Sequence, residues 1–156
     1  MIDQFTGRHF FLSPFYRHSI PGAHGIVYPS AEAAFHGGKT DDPRLRAWLA
    51  EAPAPQVAQR RARDIPLPTD WDTHRHVVMR AVLTAKFADP ALAHQLLATG
   101  DTALINGNYW HDQFWGSCRC GRACCAEPGR NWLGRHLTAI RAELAAADNT
   151  QADLAA

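Results

Sequence analysis

Lysine is almost absent from this chain of 156 residues: of sixteen basic side chains only Lys39 and Lys86 are lysine, the other fourteen being arginine. Charge of one sign is missing as well. Fifteen acidic residues bring the formal balance to +1, which excludes a strong overall field drawing the protein to nucleic acid or to an anionic membrane. Any contact with phosphates must then be local. No apolar run approaches the roughly 20 residues a membrane helix needs, and Met1 to Arg8 lack the basic-then-apolar pattern of a secretion signal. Cysteine is absent outside Cys118 to Cys125, so no disulfide can staple distant parts of a secreted framework. These absences predict a cytoplasmic protein with no membrane partner. A 46% hydrophobic content with ten prolines and eleven glycines predicts one compact domain over residues 1–147 and a mobile C-terminal tail over 148–156.

What is present alternates between turn-rich and helical stretches. The first thirty residues mix Phe5, Phe10, Phe11, Phe15, Tyr16 and Tyr28 with glycines and prolines, predicting short strands joined by turns. Ser30 caps a helix running to about Lys39. Asp42-Pro43 and Asp89-Pro90 are caps followed by first-turn prolines, opening helices to about Glu51 and Ala98, and Pro55 opens another to about Arg63. From Asp72 to Phe87, Val78, Val82 and Ala85, flanked by Val77 and Ala81, trace the apolar stripe of a core helix. Gly100 suits a left-handed helix end. A short strand is expected at 103–105, a long functional loop over 106–130, and a last helix from Asn131 to about Ala147.

Three constellations carry chemistry. Glu32, His36 and Lys39, spaced i, i+4, i+7, share one helix face, with the carboxylate in the first turn, where the helix dipole favours negative charge. The loop from Asn108 to Gly116 sets Tyr109, Trp110 and Trp115 beside Asp112 and Asn108, the composition of a pocket for a planar base and a hydroxylated sugar. The spacing Cys118-x-Cys120-x3-Cys124-Cys125 is not the two distant pairs usual for zinc. Free thiols, a local disulfide, or zinc on Cys118, Cys120 and Cys124 with His111 or His136 remain open, and no metal or cofactor is expected. The run Arg60-Arg61-Ala62-Arg63 reads as a solvated helix face.

Several motifs in order resemble the NADAR (YbiA-like) family: Phe11-Leu12-Ser13-Pro14-Phe15, Tyr28 through Lys39, Asp70-Trp71, Ala85-Lys86-Phe87, Leu96 through Gly100, Asp112-Gln113-Phe114-Trp115-Gly116, and Gly129 through Gly134 with Arg141. The resemblance covers about residues 5–144. It implies a helix-rich α+β fold and an N-glycosidase that cleaves between a base or amine nitrogen and C1 of a phosphorylated ribose or ADP-ribose, in riboflavin-pathway intermediates or in ADP-ribosylated guanine of nucleic acid. Glu32, Lys39, Asp112, Trp115 and Lys86 all fall inside family motifs, as do Ser13, Phe15, Gly116 and Asn131, which the resemblance places at substrate. The chain departs from the family's usual Asn at Pro14, His at Ala33 and Gln at His36.

Breaking the bond from ribose C1 to nitrogen builds positive charge on the sugar, and the leaving base must be protonated or otherwise stabilised. On this reading Glu32 is the electrostatic stabiliser or the base for water, Asp112 binds the sugar or transfers a proton, and Trp115 stacks opposite Glu32. Lys39 either holds phosphate or attacks the ring-opened sugar carbonyl as a Schiff-base nucleophile. Lys86 neutralises a phosphate or a neighbouring carboxylate. Asn131 orients the substrate while amides of the last helix meet phosphate. The competing classes are a non-catalytic module binding ADP-ribose or nucleic acid and a zinc-stabilised interaction domain.

Overall fold

The computed structural model describes residues 1–155, with side chains through residue 150. Its chain forms two compact units, Pro14–Ala88 and Met1–Ser13 with the chain from Asp89 onward. The fold is helix-rich α+β with short strands.

In the Pro14–Ala88 unit, β1 (Arg17–Pro21) and β2 (Val27–Ser30) form an antiparallel hairpin. Chain direction then switches at Ser30, which is extended and whose Oγ accepts from the Ala33 amide at 3.2 Å, starting α1 (Ala31–Gly37). α2 (Pro43–Ala50) begins with Asp42 accepting from the Arg44 amide, and α3 (Pro55–Arg61) begins on its proline. These starts fall where the caps and first-turn prolines predict, because capping is decided by the residue's own side chain. The core is unusually rich in small residues. Ala31, Ala33 and Ala34 of α1 pack with Ile20, Tyr28, Leu49, Ala58 and Ile65, so the short helix lies close against its neighbours.

α4 (Trp71–Lys86) is rotated from the expected stripe. Its buried positions are Trp71, Met79, Leu83 and Lys86, with Val78 and Val82 at the flank and Val77 62% exposed. A run of consecutive apolar residues spans more than one helix face, so the neighbours choose which edge is buried.

In the other unit, α5 (Pro90–Leu97) is capped by Asp89, which accepts from the amides of Ala91 and Leu92. Gly100 follows at φ +54°, the left-handed conformation its position predicts. The strand expected at 103–105 is a single bridge: the Ile2 amide donates to the Ala103 carbonyl and the Ile105 amide to the Ile2 carbonyl. β3 (Gly107–Asn108) and β4 (Ser117–Cys118) pair in parallel within the long loop. α6 (Trp132–Ala155) packs against α5, burying Leu92, Leu96, Leu133, Leu137 and Ile140. Arg141 donates to Thr99 Oγ1 at 2.7 Å and to the Thr102 carbonyl at 2.9 Å, fixing the turn after α5. α6 runs beyond the expected end at Ala147, since no glycine or proline interrupts 148–155. The remaining position of the expected tail, 156, lies outside the described residues. No helix among the described residues is long and apolar enough to cross a membrane.

Candidate functional site

Phe15, Glu32, Lys39 and Lys86 belong to the Pro14–Ala88 unit, and Ser13, Asp112, Trp115, Gly116 and Asn131 to the other. In the first, α1 brings its charged residues together as their spacing requires. Glu32 is 6% exposed, and its Oε1 lies 2.9 Å from His36 Nε2, one turn on. The Glu32 amide donates to the Pro14 carbonyl at 3.0 Å, which ties the first turn of α1 to the segment entering β1. His36 is equally buried, and its Nδ1 has no hydrogen-bond partner among the described residues. A buried ring nitrogen without a partner is costly unless something else satisfies it. His36 is thus held against Glu32 with one buried ring nitrogen left unsatisfied.

Lys39 follows the end of α1 and is half-buried, its Nζ 5.8 Å from the centre of the Trp71 ring. Burial holds its ammonium below the ordinary lysine range, and the Glu32 charge opposes that shift. The Glu32 charge is thus felt at Lys39, beyond the helix end. Lys86 is fully buried at the end of α4, with Nζ 5.3 Å from both the Tyr16 and the Phe87 ring centres. Burial pushes it down to about 7. Phe15, next to Tyr16, is half-buried.

In the other unit, the loop is held by side chains that take the place of a ladder. Buried Asn108 accepts the amides of Trp110 and Asp112 on Oδ1 and donates from Nδ2 to the Asp112 carbonyl at 2.7 Å. Asp112 Oδ1 in turn accepts the amides of Phe114 and Trp115 at 3.0 and 2.8 Å. That oxygen shapes the turn which presents Trp115. The half-buried Trp115 meets Phe114 edge-on, ring centres 4.9 Å apart, and lies 6.4 Å from His136. Tyr109 and Trp110 are 60% and 70% exposed and do not join this aromatic group.

Gly116 and Asn131 have structural duties in the same turn. A Cβ on Gly116 would sit 2.1 Å from the Asn106 carbonyl oxygen and 2.8 Å from Asn108 Nδ2, so only glycine allows these backbones to meet. Gly116→Ala is expected to destabilise the protein by about 1–3 kcal/mol, a fall of roughly 5 °C in Tm by thermal unfolding. Asn131 accepts the Asn106 amide and donates to the Leu104 carbonyl, so both ends of its amide are engaged. The amides at the start of α6 are not open to a phosphate, as the sequence predicts them to be, but engaged within the loop. The amides of Asn131, Trp132 and Leu133 already donate to the carbonyls of Gly116, Phe114 and Trp115. Ser13 is half-buried, its amide donating to the Phe10 carbonyl.

The four cysteines are all free thiols, which removes the local disulfide. Cys118, Cys120 and Cys125 converge with His111, their ligand atoms all within 4.8 Å of one another. Cys125 takes the place expected for Cys124, which is exposed. His136, the other histidine considered, lies instead between Trp115 and Trp132. Crowding splits the thiols. Burial tends to raise Cys118, but the amides of Cys120 and His111 and the thiols of Cys120 and Cys125 outweigh it and lower it. Burial first, then the neighbouring thiols, push Cys125 up to about 12. Spacing alone could not separate adjacent Cys124 from Cys125 or choose His111. The basic run of α3 has a local role: Arg61 lies 5.0 Å from the Trp48 ring centre and donates to the Trp48 carbonyl.

Comparison with known proteins gives consistent matches. The NADAR domain profile matches residues 3–145. The chain is 40% identical over 139 residues to a riboflavin biosynthesis protein of Vibrio vulnificus, an alignment covering 87% of this chain and 36% of that protein, so the chain spans about a third of its length. It is 34% identical over 124 residues to the N-glycosidase YbiA of Escherichia coli, covering 78% of this chain and 73% of that one. Its fold matches the NMR structure of the E. coli protein YbiA with a TM-score of 0.77 and 30% identity, covering 95% of this chain and 89% of the other.

Proposed function

Because this chain belongs to the NADAR domain family, we propose that it is an N-glycosidase that hydrolyses the bond between a base or amine nitrogen and C1 of a phosphorylated ribose or ADP-ribose. The observation that carries this reading is the buried Glu32–His36 pair, with the Glu32 charge also acting on Lys39 just past the end of α1. A carboxylate held away from bulk water interacts strongly with positive charge developing on a sugar, and His36 fixes the orientation of its Oε1. Glu32 stabilises the charge at C1 or takes the proton of the attacking water. Trp115 is assigned to stacking on the base. Asp112 is assigned to the sugar through the oxygen not engaged with the turn amides, and Asn131 and Gly116 support the substrate loop.

Lys39 has two roles consistent with its lowered proton affinity: a cation for phosphate, or an amine that attacks the ring-opened sugar aldehyde and forms an imine with loss of water. Borohydride reduction during turnover separates them. A covalent sugar adduct mapped to Lys39 supports the imine, and an unmodified Lys39 supports phosphate binding. The four clustered thiols suit a reducing cytoplasm.

Relatives named as a riboflavin biosynthesis protein and as an N-glycosidase support a substrate of this class, and the near-neutral charge favours a small or locally recognised substrate over an extended duplex. The deciding experiment offers the purified chain a ribosylaminopyrimidine phosphate and, separately, ADP-ribosylated guanine in DNA. Release of base or amine from either supports the activity and names the substrate. Tight binding with no release from both refutes it in favour of a binding module.

A further inference from the structure

We propose that His111, Cys118, Cys120 and Cys125 form a structural zinc site that pins the loop between β3 and α6. His111 Nδ1 lies 3.3 Å from Cys125 Sγ and 3.5 Å from Cys120 Sγ, and all four ligand atoms fall within 4.8 Å of one another. Zinc bonds of about 2.3 Å to sulfur and 2.0–2.1 Å to nitrogen make a tetrahedron with edges of about 3.6 Å from nitrogen to sulfur and 3.8 Å between sulfurs. The two nitrogen-to-sulfur distances already match, and the wider pairs close by small side-chain rotations. Four donors this close enclose a single ion, and three thiols with one imidazole select zinc over the oxygen-seeking cations.

The surrounding chain is built for such a centre. Residues 106–130 contain only the two-residue strands β3 and β4 and one short turn of helix at Ala123–Cys125, little regular structure to offset the entropy of ordering so long a loop. The Cys118 amide donates to Gln113 Oε1 and the Arg119 amide to the Asn108 carbonyl, both at 2.7 Å, fixing the backbone that carries the first two cysteines. His111 is held at φ +68°, an unfavourable conformation for a non-glycine residue, and in it the ring reaches the sulfurs.

On binding, the thiol protons leave to solvent and Nδ1 presents its lone pair, so Nε2 carries the ring proton. The Arg122 contact to Nε2, exposed and 3.5 Å long, gives way. Four protein ligands leave no open position for a catalytic water. The metal is therefore structural, and the glycosidase chemistry does not pass through it. Cys124 also comes within 3.8 Å of His111 Nδ1 and of Cys125 Sγ but lies outside the converging group.

The test uses the full chain under reducing conditions. Elemental analysis is expected to find one zinc per chain. Cobalt(II) added to the metal-stripped chain is expected to give the intense visible bands of a tetrahedral thiolate site, saturating at one equivalent and bleached by zinc. His111→Ala, Cys120→Ser and Cys125→Ser are each expected to weaken zinc binding on the order of 100-fold or more, and Cys124→Ser to leave it unchanged. A wild-type chain that takes up neither zinc nor cobalt overturns the site, whether or not the variants fold. Zinc lost on Cys124→Ser but kept on Cys125→Ser overturns the ligand set.

Discussion

Glu32→Gln is expected to fold and to bind its ribosyl substrate while releasing base on the order of 1,000-fold more slowly, the range measured for removal of a positioned acid or base. The amide has the shape of the carboxylate and still offers an oxygen to His36 Nε2, now 2.9 Å away, so packing around α1 is preserved. On the proposed mechanism, what disappears is the negative charge that faces the sugar as its C1 bond to nitrogen breaks. The loss should therefore fall on kcat with KM little changed, the mark of an interaction made chiefly in the transition state. Unchanged turnover would remove Glu32 from the chemistry. Its partner gives a different signature: His36→Ala leaves the buried carboxylate without its ring nitrogen, and should lower stability as well as kcat.

The second large effect is in stability against pH, and it originates at Lys86. In the unfolded chain this ammonium titrates near the ordinary 10.5, and in the folded protein burial brings it to about 7. Between those values the unfolded chain binds more protons than the native one, so stability rises as pH rises through that window. The slope approaches about 1.4 kcal/mol per pH unit. Below about pH 7 the group is protonated in both states and its contribution no longer changes. Lys86→Met keeps the length of the side chain and removes the titration. Guanidinium unfolding of both proteins at pH 6.5, 8 and 9.5 should show the stability difference shifting towards wild type at each step upward. Parallel curves would mean that the ammonium keeps its ordinary proton affinity in the fold. Lysine is scarce in this chain, and one of its two examples is held where a charge is expensive.

The helix starts in both units are legible along the chain because each is decided within a few residues. Ser30, Asp42 and Asp89 cap helices through their own oxygens, and the spacing of Glu32 and His36 alone is enough to place them one turn apart. The buried edge of α4 is not legible. Polarity argues for Val77 inside and Lys86 outside, and the fold does the reverse, since burial depends on what surrounds each face. Asp112 and Asn131 look like substrate contacts by type. Their hydrogen bonds to the turns at Trp115 and Leu104 involve loop backbone whose course no periodicity reveals.

Residue order by itself thus determined the helix starts, the carboxylate and imidazole one turn apart on α1, and kinship with the NADAR domain, all of them consequences of local geometry or ordered motifs. Only the tertiary structure decided that Lys86 is enclosed by aromatic rings, that Gly116 meets the Asn106 carbonyl, and that Cys125 rather than Cys124 joins His111. Each of these depends on where irregular or distant backbone is brought by packing, and that position is set by the whole unit's hydrogen bonds and buried surface rather than by the identity of the residue itself.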